Sequence, residues 1–338
     1  MVSPPRSLLI VTDAWHPQVN GVVRSIEQTK LQLEAEGIEV SLLTPAEFRT
    51  MPMPGYKEIG LSLTTPGTVA RRIEALRPEA IHIATEGPLG VFARWYCMRT
   101  KRPFSTAYHT QFPEYLRARA PFPLSWGYGL IRRFHAPSSA VLVGTAEMER
   151  RLVSRGFKHV KLWTKGVDTE LFHPSRRAPS PYPGPVFLFV GRVAVEKNIE
   201  AFLSLDLPGT KLVVGDGPSL TMMRQRYPDA VFLGSKTGPE LATLFASADA
   251  FVFPSRTDTF GLVLLEALAS GTPVAAFPVT GPIDVIGNAP VGVLDNDLKT
   301  AALGALNVSR EACRTYAEGY SWAASAAQFL DNQSRIVW

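Results

Sequence analysis

Apolar residues follow two alternating rhythms along this chain: short unbroken runs, and stretches spaced three and four apart. Ser7–Val11, Val40–Leu43, Ala80–Ala84, Phe104–Tyr108, Ala140–Gly144 and Lys161–Thr164 are runs of strand length, most of them closed by a polar loop. Between them, Val22–Leu33 and Val69–Leu76 carry helical spacing and stop at Gly37 and Pro78, and a further helix follows Glu86-Gly87-Pro88. After residue 185 the rhythm restarts. Strands are read at Val186–Val190, Lys211–Val214, Ala230–Leu233, Ala250–Phe253 and Val274–Phe277, and helices at 197–205, 239–246 and 260–269. Wholly apolar strands alternating with helices predict an α/β fold of two doubly wound parallel sheets, with ligand loops at the carboxyl ends of the strands. The stretch between them, HPSRRAPSPYPGP at 173–185, has five prolines and no apolar period, the composition of a linker.

Composition narrows this picture. With 46% hydrophobic and 19% charged residues over 338 positions, the chain has core enough for two domains and is not disordered. No run of 18 apolar residues is present, and Leu8–Val11 before Asp13 is too short for a signal-peptide core. Cys97 and Cys313 stand apart, which fits a reducing cytoplasm and argues against a disulfide framework or a cysteine metal site. Residues 1–175 hold 22 Lys and Arg against 15 Asp and Glu, or +7, and the remainder hold 13 against 15, or −2, which together give +5. A basic first half implies an anionic surface partner, nucleic acid or acidic lipid.

The densest chemistry lies in FPSRTDTFGLVLLEALASGTP, 253–273. A strand ends, a polar loop follows, and a helix begins near Gly261, so the backbone N–H groups of 260–263 face outward as an anion site. Asp258 and Glu266 bracket them with seven residues between. An acid in the loop can reach a sugar ring and one a turn into the helix can accept from a ribose diol; taken alone, the pair reads equally as a helix N-cap and an ordinary surface Glu. Gly191-Arg192-Val193-Ala194-Val195-Glu196-Lys197-Asn198 also follows a strand; Arg192 and Lys197 bring two cations to one diphosphate if the helix start is close, and otherwise form a solvated loop. Gly215 and Gly217, in Gly215–Pro218, read as a turn that lets backbone approach a ligand. Neither a GxxxxGK[ST] loop nor a GxGxxG fingerprint occurs. In the first half, Asn20-Gly21 opens a helix, and Glu86 and His109 end strands, as do Asp13 and His16 nearby. Residues 113–137 interleave Arg117, Arg119, Arg132 and Arg133 with Tyr115, Phe122, Trp126, Tyr128 and Phe134, a mixture suited to a headgroup–acyl boundary or to a buried aromatic helix.

Together these segments resemble the GT-B glycosyltransferases, in particular the retaining family 4 type that contains sucrose and trehalose synthases, phosphatidylinositol mannosyltransferases and bacterial glycolipid synthases. The match runs nearly end to end: NGV at 20–22, His109, KGVDTELFHP at 165–174, GR…EKN at 191–198, GDGP at 215–218 and SRTDTFGLVLLEALASGTPV at 255–274. The last is the family's E-x7-E region, here with Asp258 in place of the first Glu. TDTFGLV and YHTQFPEY look most like the enzymes that make sulfoquinovosyl-, glucosyl- or glucuronosyl-diacylglycerol, with GDP-mannose-dependent mannosyltransferases beside them.

The resemblance implies an acceptor-binding domain at 1–172 completed by a closing helix at 322–338, and a nucleotide-sugar domain at 186–321. It implies that Arg192 and Lys197 neutralise the donor diphosphate, helped by backbone at Gly191, Gly215, Gly217, Phe260, Gly261, Leu262 and Val263. Glu266 would take the ribose hydroxyls, Asp258 the sugar hydroxyls, and His109 the transferred sugar. Gly21 would let backbone approach the leaving phosphate or the acceptor, and Asn20 and Glu86 would serve the acceptor side. No metal or other cofactor is expected, because protein cations and a helix end hold the diphosphate. The expected partners are a UDP-sugar or GDP-mannose, diacylglycerol or another lipid acceptor, and an anionic membrane surface, with no nucleic acid. The enzyme would sit on the inner face of the cell membrane. Different readings are a GDP-mannose-dependent mannosyltransferase and a non-catalytic nucleotide-sugar-binding membrane protein.

Overall fold

The computed structural model describes residues 4–338 apart from 19, 54–55 and 120–122, with the side chains at 53, 56–59, 115, 116, 118 and 119 also outside the description. The chain divides into two compact units, one of residues 1–113, 122–165 and 322–338, the other of 114–121 and 166–321.

In the first unit the order is β1 (Ser7–Val11), α1 (Gly21–Ala35), β2 (Glu39–Leu43), β3 (Arg49–Met53), β4 (Tyr56–Leu63), α2 (Pro66–Leu76), β5 (Ala80–Ile83) and α3 (Pro88–Thr100). Next come β6 (Ser105–Ala107), α4 (Phe112–Arg119), which runs from this unit into 114–121, α5 (Leu124–His135), β7 (Ala140–Val143), α6 (Ala146–Ser154) and β8 (Val160–Leu162). Six strands form a parallel sheet in the order β2-β1-β5-β6-β7-β8. Its interior strand β1 is apolar after Ser7 because both faces are covered: Leu8 and Ile10 pack with Ile26 and Leu33 of α1, and Leu9 and Val11 with Ile73 of α2 and Tyr96 of α3. β3 and β4 form a separate antiparallel hairpin that the apolar rhythm does not announce, since Pro52 and a register shift interrupt it.

The second unit contains β9 (Val186–Val190), α7 (Ile199–Leu203), β10 (Thr210–Val214), α8 (Leu220–Arg226), β11 (Val231–Phe232), α9 (Gly238–Ser247) and β12 (Ala250–Phe253). It continues with α10 (Leu262–Ala269), β13 (Val274–Ala276), α11 (Pro282–Val285), β14 (Gly292–Leu294), α12 (Leu298–Ala305) and α13 (Arg310–Ala317). Its sheet, also parallel, has the order β11-β10-β9-β12-β13-β14, with Leu188 and Phe251 on one core and Phe187 and Val252 on the other. The central pair β9 and β12 therefore brings the 191–198 loop and the 254–261 loop to the same end of the sheet. Finally, α14 (Trp322–Asp331) returns to the first unit, where Phe329 packs beside Trp163 and the helix lies along α1.

The passage between units falls at Lys165–Gly166, ahead of the proline-rich stretch whose composition marks a linker. That stretch lies along the second unit. Val167 and Phe172 are in its core, and the Ala178 N–H donates to Ser247 Oγ at 3.0 Å. Proline suits a segment laid along a surface as well as one spanning a gap, since both are extended.

Candidate active site

In the second unit the 191–198 and 254–261 loops are joined by side chains. The Lys197 ammonium is paired with the Asp258 carboxylate, both mostly buried. Arg192 Nε lies 3.8 Å from Glu196 Oε1, and Glu196 is itself buried. Thr257 Oγ1 donates to the Glu196 carbonyl at 3.1 Å, and Asn198 Nδ2 to the Pro254 carbonyl at 3.0 Å. Asn198 sits in the left-handed region at φ 52°, a conformation Asn tolerates better than most residues. Lys197 is thus held at the loop that leads into α10, and Arg192 beside Glu196 on the loop opposite.

α10 starts two residues later than the 260–269 read from sequence, at Leu262, with Gly261 as N-cap at φ 85° and no side chain capping it. A left-handed N-cap without a capping side chain leaves the first amides, at Leu262 and Val263, for a ligand. Phe260 is buried in the core beneath them, and Glu266 is buried on α10. Gly281 backs the loop, since a Cβ there would come within 2.9 Å of the Phe260 carbonyl.

Gly215 and Gly217 run close against the neighbouring loop. A Cβ on Gly215 would lie 1.8 Å from the Gly191 carbonyl oxygen, and one on Gly217 would lie 2.5 Å from that of Val193. Backbone bonds tie the two loops, Val193 N–H to Asp216 O at 2.9 Å and Ser219 N–H to Val193 O at 3.0 Å. The close approach is to the strand-end loop that carries Arg192, so these glycines shape the site from behind.

In the first unit the candidates are dispersed. Asn20 caps α1, its Oδ1 accepting from the Val22 and Val23 amides at 3.0 Å, and Gly21 is the first helical residue. Asp13 caps α3 by accepting from Leu89 and Gly90, and burial pushes its carboxyl upward against those donors. Glu86, read as an acceptor-side residue, lies 3.2 Å from the buried His135, which also bonds Thr106. His16 pairs with Glu27 at the surface. His109 lies partly exposed, with its Nε2 buried and its ring edge-on to Trp163 at 5.5 Å between centroids. Removal from water, then the nearby Lys165, His82 and His135, hold it well below the ordinary imidazole range. Lys165 is buried with its Nζ 2.9 Å from the centre of the Trp163 ring, and burial lowers it strongly as well.

The aromatic and basic stretch splits by side. Tyr128 is buried with Arg155 stacked on it, whereas Trp126 and Leu130 are 73% and 70% exposed on α5. Arg133 is exposed; Arg132 turns to the Arg155 carbonyl at 3.0 Å. Arg117 is exposed on α4, and the side chain of Arg119 lies outside the described residues.

Comparison with known proteins decides the family. Residues 19–171 match Glycosyltransferase Family 4 and residues 184–307 match Glycosyl transferases group 1. The sulfoquinovosyl transferase SQD2 of Arabidopsis thaliana is 30% identical, over 99% of this chain and 74% of its own length. The chain belongs to glycosyltransferase family 4.

A GDP-mannose-dependent alpha-mannosyltransferase of Corynebacterium glutamicum is 29% identical, covering 98% of this chain and 90% of that protein. The alpha-monoglucosyldiacylglycerol synthase of Streptococcus pneumoniae is 27% identical, over 88% and 77%. Among solved structures, the sucrose-phosphate synthase of Thermosynechococcus elongatus superposes with a TM-score of 0.75 at 19% identity, over 96% of this chain and 97% of that one. Anabaena HepE, solved with UDP and glucose, gives 0.71 at 15% over 96% and 98%. The fold is GT-B, and this family 4 enzyme is a nucleotide-sugar-dependent hexosyltransferase. Within it, Glu196, Asn198 and Gly281 carry positioning work that residue type and spacing left unassigned. Glu196 stands four residues after Arg192, which was the available signal. Nothing local marks Gly281, whose partner is the loop at 258–260.

Proposed function

We propose that this glycosyltransferase moves a sugar of the glucose, glucuronic acid or sulfoquinovose type from a UDP-sugar to a membrane lipid, diacylglycerol first among them, with retention at the anomeric carbon. The observation that carries the donor half is the Lys197–Asp258 pair set beside the uncapped start of α10. As the bond to the anomeric carbon breaks, negative charge collects on the departing diphosphate. Arg192, Lys197 and the amides at Leu262 and Val263 stabilise that charge from fixed positions, the arrangement that costs least reorganisation. Asp258 positions the Lys197 ammonium and meets the sugar hydroxyls from the same loop, and Glu266 accepts from the ribose. No metal is needed for this charge balance.

His109 serves the sugar as a neutral hydrogen-bonding ring. Its lowered pKa means that the uncharged form persists as pH falls through the ordinary histidine value of about 6.5. The single-turnover rate therefore stays flat between about pH 8 and 6 as far as this group is concerned. A limb centred near 6.5 that vanishes in His109→Asn would mean that the ring is hydrated and ionising.

The acceptor half is supported by the basic first half of the chain, by Trp126, Leu130 and Arg133 on the outside of α5, and by the diacylglycerol in the name of the pneumococcal relative. Among the described residues no helix is long and apolar enough to cross a membrane, so attachment at the cytoplasmic surface would be peripheral. A second reading, transfer of mannose from GDP-mannose to a lipid or glycan, is supported by the corynebacterial relative, which covers nearly the whole chain. Radiolabelled UDP-glucose, UDP-glucuronate, UDP-sulfoquinovose and GDP-mannose, each offered with and without diacylglycerol vesicles, separate the two. Lipid-extractable label from a UDP-sugar that appears only with diacylglycerol is the expected result. Label from GDP-mannose alone would replace the first reading with the second.

A further inference from the structure

We infer that the membrane-facing surface of the first unit extends over α3, with Trp95 at its centre, and that its partner is an anionic lipid bilayer. The inference deepens the lipid-directed part of the proposed function and rests on it.

The sheet order supplies the geometry. β5, β6 and β7 are successive neighbours, so the crossovers that carry α3 and α5 step the same way across the sheet. Right-handed crossovers stepping the same way place their helices on one face, side by side. The contacts agree: Arg94 of α3 donates from Nε to the Phe134 carbonyl at 2.7 Å and from Nη2 to that of Arg133 at 2.9 Å, at the end of α5. α2 packs along the other side of α3. The outward sides of all three helices therefore look the same way.

What α3 shows there is unlike an ordinary solvated face. Val91, Trp95 and Met98 recur at helical spacing and are 44%, 42% and 48% exposed. Arg99 lies over the Trp95 ring at 5.0 Å, a cation held at the edge of an apolar stripe. Arg94 ties α3 to the end of α5, the helix that bears the exposed Trp126 and Leu130.

Charge identifies the occupant. From residue 87 to 146 the chain has eight Lys and Arg and one acid, Glu114, and neither α3 nor α5 contains an Asp or Glu. Two neighbouring helices without an acid, with tryptophans at the surface and arginines beside them, match phosphate headgroups over an apolar layer. A second copy of the chain would set these cations against one another.

The test measures partition of the full chain onto vesicles of phosphatidylcholine with and without phosphatidylglycerol. Wild type is compared with Val91→Ser, Trp95→Ser, Met98→Ser combined, and with Arg99→Gln. None of the four side chains belongs to the buried core, so the fold, checked by circular dichroism, and transfer to detergent-dispersed acceptor should be kept. The triple variant should bind anionic vesicles about tenfold or more weakly, and Arg99→Gln should lose affinity only where phosphatidylglycerol is present. Wild-type binding that the triple variant retains would overturn the α3 surface and leave the lipid reading standing. Wild type that binds no vesicle would end both. Equal binding to neutral vesicles would overturn the charge argument, and a dimer dissolved by the triple variant without vesicle binding would reassign the face to self-association.

Discussion

Lys197→Ala should abolish sugar transfer while the chain still folds. The ammonium links the β9 loop to Asp258 on the β12 loop by charge, at the spot where the α10 amides begin. Removing it takes away a donor aimed at developing charge and leaves the Asp258 carboxylate facing the leaving phosphate. Loss of one such donor is worth about 2.7–4 kcal/mol, a fall of roughly a hundred- to a thousandfold in kcat. Asp258 adds repulsion in the variant, so the upper end is expected. Circular dichroism and the thermal midpoint should change little, because the side chain reaches a loop rather than a core. Turnover within a few-fold of wild type would refute the diphosphate role, whatever the family relationship says.

The second large effect should come from a methyl group far from any charge. Gly215→Ala places a Cβ 1.8 Å from the Gly191 carbonyl oxygen and 2.9 Å from its carbon, on a backbone with φ of 143°. Neither partner is a flexible side chain, so relief requires that the two loops part. Backbone strain and the broken packing together should cost about 3 kcal/mol or more, and the second unit should melt roughly 6–12 °C lower. Arg192, next to Gly191, moves with its loop, so transfer should fall even below the melting range. Gly129→Ala in α5 is the control, since a Cβ there meets nothing within 4 Å. A Gly215→Ala protein that melts and turns over like wild type would show that the loops are not locked together.

These two residues differ in how readable they are. Lys197 is legible because a cation five positions beyond Arg192, directly after an apolar strand, is a local pattern. Gly215 is legible only as a turn. That its open space is filled by the Gly191 carbonyl depends on β9 and β10 being hydrogen-bonded neighbours, which is a pairing between distant segments. The same holds for Asp13 and Glu86. Each stands at a strand end, and the partners it meets there, the α3 amides for Asp13 and His135 for Glu86, lie far off along the chain.

Strand and helix rhythm, the two parallel sheets, and the loops bearing Arg192, Lys197 and Asp258 followed from the order of residues, since periodicity and turn chemistry act over a few positions. Folding supplied the rest. It set the passage between units at Lys165–Gly166, laid the prolines along the second unit, turned Tyr128 inward and Trp126 outward on one helix, and packed glycine against carbonyl. The physical reason is the same in each case: which surfaces are buried is settled by strand order and by partners that lie far off along the chain, and no short window of sequence contains both members of such a pair.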